Sequence, residues 1–127
     1  MEVTRTRRSP LALALLWAPP LALMGVIFLL SAQPDLSSGL GTFDLVLRKA
    51  AHMTEYGLLL FLLWRPLRTI ASDRAALVAA FAVGVLYAAS DEWHQSFVEG
   101  RHGTPVDVGI DTAGMAIAAF LVLRILR

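Results

Sequence analysis

The chain has 127 residues, of which 57% are hydrophobic and only 17% charged. Exchanging the two tyrosines for the nine glycines, to match the usual apolar count, raises the first figure to about 62%, against about 45–50% in soluble domains. With a mean hydropathy of +0.64, that excess excludes an ordinary water-soluble domain, and much of the apolar surface must face lipid. A net charge of +1 provides no basic face for nucleic acid, and the absence of cysteine excludes disulfides, thiolate metal sites and a thiol nucleophile.

Residues 11–30 contain no charge; at about 1.5 Å per residue such a run crosses the ~30 Å hydrocarbon core. Pro19 and Pro20 fall in its middle, where lost amide donors predict a kink that membrane helices tolerate. The competing reading is a cleaved signal peptide with Arg5, Arg7 and Arg8 as its charged start. The run is longer than the usual h-region of about 7–15 residues, and Ser31-Ala32-Gln33 is a poor cleavage site.

Residues 33–41, rich in Ser, Gly and Pro, read as a loop. A second apolar run covers 50–64 and reaches spanning length when extended back to Leu45. A third covers 75–89 and does so when extended to Phe97. Residues 100–105 read as a turn into a fourth run at 106–126, which carries Asp107 and Asp111 near its start. The expected fold is one all-α membrane domain over 1–127, a small bundle of four transmembrane helices at 11–30, 45–64, 75–97 and 106–126.

Eight of the eleven cations fall on one side of such an arrangement: Arg5, Arg7 and Arg8, then Arg65, Arg68 and Arg74, then Arg124 and Arg127. By the positive-inside rule that side is cytoplasmic, so both termini are expected inside. The opposite side holds Arg48, Lys49 and Arg101 against eight of the ten acids.

In this topology helix two begins, helix three ends and helix four begins at the outer leaflet. Lys49, His52, Glu55 and Tyr56 share an arc of about 120°, and Asp107, Asp111 and Gly114 one of about 60°. Asp91, Glu92 and Gln95 close helix three, with Asp91 and Gln95 on one face. Charges at this depth need partners or a wet cavity. Lys49, the single lysine beside ten arginines, is either a proton-handling ammonium or a snorkelling interfacial residue. His52 and Glu55 could share a proton or a metal, although a histidine satisfied by a neighbouring carboxylate is the plainer reading. Arg101 is the natural partner for Asp107 or Asp111, or for a ligand phosphate. Trp93 and Phe97 read as interfacial anchors, and Gly114 and Ala118 as close helix packing.

Four segments then carry a resemblance: Phe28-Leu29-Leu30-Ser31-Ala32-Gln33-Pro34, Lys49 through Gly57, Ser90 through Phe97, and Gly100-Arg101 with Asp107 through Gly114. Their order and spacing resemble the VanZ-like family, with Met53 and Asp111 as departures from its usual residues. The resemblance implies a bacterial integral membrane protein of about four helices, in a family named for a member that raises resistance to teicoplanin. The matching polar positions are Lys49, His52, Tyr56, Asp91, Glu92, Gln95, Arg101, Asp107 and Asp111.

The leading expectation is an envelope protein of the bacterial cytoplasmic membrane that binds or modifies an anionic lipid or cell-wall precursor. Lys49 and Arg101 would hold phosphate, while His52, Asp91 and Glu92 would position or move a proton. A metal-assisted version would draw ligands from His52, Glu55, Asp91, Glu92, His94, Asp107 and Asp111, without a dedicated spacing motif. The alternatives are a structural scaffold without ligand and a small proton-coupled transporter. The sequence assigns no cofactor and no oligomeric state, and membrane lipid is the expected partner.

Overall fold

The computed structural model describes residues 8–31, 41–97 and 105–126. They form four helices: α1 (Pro10–Ser31), α2 (Thr42–Leu67), α3 (Asp73–Gln95) and α4 (Pro105–Ile125). Ser9 opens α1 by accepting the Ala12 N–H at 3.1 Å, with Pro10 at the first helical position, where its missing donor is harmless. The helix then runs through Pro19 and Pro20 without interruption. Ser72 caps α3 by accepting from Ala75 N–H at 3.2 Å. α2 is longer than the expected 45–64 at both ends, and α3 stops at Gln95 rather than Phe97.

The α2–α3 turn is fastened by one aromatic residue and one ion pair. Trp64 Nε1–H donates to the Asp73 carbonyl at 3.0 Å, and Arg68 Nε–H donates to Asp73 Oδ1 at 2.7 Å. The Arg68 guanidinium also lies 4.2 Å from the centre of the Trp64 ring.

α2 packs against all three other helices, most extensively against α4. It supplies Tyr56, Leu59, Leu60, Leu63 and Trp64 to the core, which meet Ala76, Leu77, Ala80 and Ala88 of α3, Met115 and Val122 of α4, and Ile27 of α1. The α2–α4 seam is close because it is built on glycine. A Cβ on Gly114 would stand 2.8 Å from Met53 Cα and 2.9 Å from its carbonyl carbon, and one on Gly57 would stand 3.2 Å from the Gly114 carbonyl oxygen.

Large apolar side chains cover the outer surface, among them Leu15 and Leu29 on α1, Val78 and Leu86 on α3, and Phe120 and Ile125 on α4. An aqueous protein does not carry so much exposed apolar area. Three helices, α1, α3 and α4, are long and apolar enough to cross a membrane. α2 is 26 residues long but carries the charges of Asp44, Arg48, Lys49, Glu55 and Arg65. It also touches all three other helices, and Tyr56, Leu59, Leu60, Leu63 and Trp64 face protein rather than the surrounding medium.

Candidate functional site

The C-terminal ends of α1 and α3 and the N-terminal halves of α2 and α4 gather their polar side chains at one end of the molecule. α2 and α4 run in the same direction there and are joined by two rungs. Lys49 Nζ donates to Asp107 Oδ1. One turn inward, His52 Nδ1–H donates to Asp111 Oδ1 at 3.2 Å, the carboxylate acceptor fixing the proton on that nitrogen. The rungs recur because residues three apart on α2 and four apart on α4 lie one above the other.

A third group is centred on Asp91 of α3. Its Oδ2 accepts from Ser31 Oγ at 2.9 Å, Tyr56 OH at 3.3 Å and Gln95 Nε2 at 3.2 Å. Gln95 Nε2 also lies 3.3 Å from Ser31 Oγ. Asp91 therefore draws α1, α2 and α3 onto one oxygen. Its Oδ1 is buried and has no hydrogen-bond partner among the described residues. Tyr56 connects this group to the rungs: its ring lies nearly parallel to that of His52, 9° apart in plane and 6.4 Å between centres.

Burial grades across the cluster. The side chains of Lys49 and Asp107 are 35% and 22% exposed, and those of His52 and Asp111 are 21% and 2%. Asp91, at 3%, is as buried as Asp111. The Lys49–Asp107 pair is therefore a rim that an outside molecule can reach, whereas Asp91 and Asp111 act within the protein. Five carboxylates, those of Glu55, Asp91, Glu92, Asp107 and Asp111, lie at this end, together with the basic side chains of Arg48, Lys49, His52 and His94.

Several expected partnerships differ. His52 bonds Asp111 across the helix interface rather than Glu55 on its own helix, because the α2–α4 register puts the aspartate directly opposite. Lys49, expected to hold a ligand phosphate, already carries Asp107. Arg101, the expected partner of Asp107 or Asp111, lies outside the described residues, and both aspartates have other partners. Glu55 is half-buried on α2, and Glu92 is buried on α3 beside Asp91. Among the described residues no group of three or more His, Asp and Glu is placed to hold a metal ion.

Trp93 and Phe97 are exposed and meet edge to face, with centres 5.0 Å apart. His94 turns the other way and stacks on Phe28 at 4.4 Å. The site residue that the sequence reading missed is Ser31. Its signal is slight, a lone hydroxyl closing the apolar run of α1, although it lies inside the Phe28-to-Pro34 segment that carries the family resemblance.

An apolar, lipid-facing exterior around a hydrogen-bonded polar cluster defines an all-helical membrane protein with an internal carboxylate hub. A family model described as VanZ/LLP1 matches residues 16–127, and the chain belongs to that family. No curated protein and no solved structure matches the chain.

Proposed function

We propose that the chain is a four-span protein of the bacterial cytoplasmic membrane, with both termini inside, whose polar end engages the headgroup of an envelope lipid or lipid-linked wall precursor at the outer leaflet. The observation that carries this reading is the partly exposed Lys49–Asp107 pair at the rim of a cluster drawn from all four helices. α2 serves as the fourth span: its 26 residues extend about 39 Å. Lys49, His52 and Tyr56 spend their polar groups on α3 and α4 instead of exposing them to hydrocarbon. The cations at the N-terminus, the α2–α3 turn and the C-terminus support the orientation.

Membership of the family also supports a link to glycopeptide resistance. Expression in a teicoplanin-susceptible host should raise the inhibitory concentration. The neutral variant Lys49→Gln/Asp107→Asn, inserted at equal level, should not. No change with the wild-type chain removes the resistance link.

Orientation is testable because the chain has no cysteine. Trp93→Cys, exposed at the polar end, should react with a membrane-impermeant maleimide in intact cells. Ile70→Cys, exposed at the α2–α3 turn, should react only after permeabilisation. The reverse pattern overturns the outer-leaflet assignment.

A second reading, a purely structural clasp, is favoured by the Asp91 group, whose three donors all come from the protein itself. It requires that rim variants change stability alone, without altering lipid binding or susceptibility.

A further inference from the structure

Inward of the rim pair, between α2 and α4, runs an open surface groove of about 430 Å³. We propose that this groove holds one acyl chain of a membrane lipid whose phosphoethanolamine headgroup docks on Lys49 and Asp107. The proposal rests on reading the polar end as an outer-leaflet lipid site, and it adds the tail site and the headgroup class.

The groove walls include Met53, Gly57 and Leu58 of α2 and Gly114, Ile117 and Leu121 of α4. Its volume lies in the roughly 300–1,000 Å³ range of small-molecule sites. Thr54 is its one side chain with a hydroxyl, and that hydroxyl donates to the Ala50 carbonyl at 2.9 Å, within α2 itself. The lining therefore offers dispersion contact and no hydrogen-bond demand, which suits a hydrocarbon chain. Gly57 and Gly114, both on the groove wall, bring the two backbones together beneath it.

Position ties this channel to the rim. Met53 lies four residues past Lys49 and Gly114 seven past Asp107, so the channel starts roughly 6–10 Å inward of the ion pair. An amphiphile lying along the channel places its headgroup at the pair.

Charge complementarity selects the headgroup. The rim presents an ammonium and a carboxylate side by side, with the Asp111 carboxylate one turn inward. A purely anionic headgroup meets one attractive and one repulsive charge at the rim pair itself. A phosphoethanolamine group matches the rim charge for charge: its phosphate meets Lys49 Nζ and its ammonium meets the Asp107 carboxylate.

The test is photo-crosslinking of the whole protein in bilayers, using phosphatidylethanolamine with a diazirine on one acyl chain and mapping the adducts by mass spectrometry. Adducts should concentrate on residues 53–58 and 114–121, roughly tenfold above the lipid-facing Val78 and Leu86 of α3. Unlabelled phosphatidylethanolamine should compete and phosphatidylglycerol should not. Ala118→Leu, on the groove wall, should remove the groove adducts, and Ile117→Trp, at an exposed wall position, provides a second filling variant should the first fail to fold. Lys49→Gln/Asp107→Asn should abolish the preference between the two lipids while tail adducts persist.

Equal adducts along α3 and the groove overturn the tail site. If they come with a headgroup preference that the double variant abolishes, the outer-leaflet lipid reading survives. Uniform adducts with no preference overturn both. Competition by phosphatidylglycerol overturns the headgroup assignment. A crosslinked dimer lost in Ala118→Leu makes a second copy of the chain the occupant and overturns the proposal.

Discussion

Replacing Asp91 probes the hub through which three helices meet. In Asp91→Ala, Oδ2 is lost as acceptor for Ser31, Tyr56 and Gln95. Side-chain hydrogen bonds between membrane helices average about 0.6 kcal/mol, up to about 1.7, so three give roughly 2 kcal/mol if each donor finds another partner. Gln95 and Ser31 keep one another at 3.3 Å. The Tyr56 hydroxyl has no such alternative and is fully buried, and an orphaned buried donor adds about 1–3 kcal/mol. The expected loss is about 3–5 kcal/mol. In Asp91→Asn the amide oxygen still accepts at the Oδ2 position while the NH2 takes the place of the unpartnered Oδ1, so a smaller loss of about 1–3 kcal/mol is expected. Equilibrium unfolding in mixed micelles, followed by circular dichroism, measures both. An alanine variant within about 0.5 kcal/mol of wild type, or an asparagine variant as unstable as alanine, refutes the hub.

Other perturbations separate the remaining interactions. Gly114→Ala forces a Cβ against the Met53 backbone, which cannot yield as a side chain can, and should cost about 1–3 kcal/mol. Gly109→Ala meets nothing within 4 Å and should be neutral or stabilising by up to about 1 kcal/mol through helix propensity; equal thermal shifts for the two glycines contradict the seam. A double-mutant cycle on His52 and Asp111 should give a coupling of roughly 0.5–1.7 kcal/mol, and a coupling to Glu55 of that size instead contradicts the cross-helix rung. Arg68→Ala should cost less than about 1 kcal/mol because its partner Asp73 is partly solvated, with a larger loss measured by thermal denaturation contradicting that view.

Much of the fold is legible from run lengths. α1 and α4 declare themselves through long apolar stretches, and the loop composition at 33–41 separates the first two helices. α2 is less legible because the chemistry that makes it the centre of the molecule also lowers its apolarity. The Asp91 and Gln95 positions follow from helical spacing alone, four residues being one turn. The pairings across the interface do not, since Lys49 and Asp107 are 58 residues apart and His52 and Asp111 are 59. Which rung faces which depends on how closely two helices approach, and that is set by Gly57, Gly114 and the Met53 backbone. A charge-based reading favours Arg101 as partner because guanidinium–carboxylate forks are common. It has no access to the register that gives Asp107 to Lys49 and Asp111 to His52.

The most direct measurement is native mass spectrometry of the gently solubilised wild-type chain beside Lys49→Gln/Asp107→Asn. The double variant removes both rim charges together and leaves neither orphaned. If the rim selects a headgroup, the wild type retains phosphatidylethanolamine over phosphatidylglycerol, a preference that the variant loses while its unfolding temperature stays the same. Bare, folded protein in both spectra would contradict lipid binding at this site and leave the polar cluster as a clasp between helices.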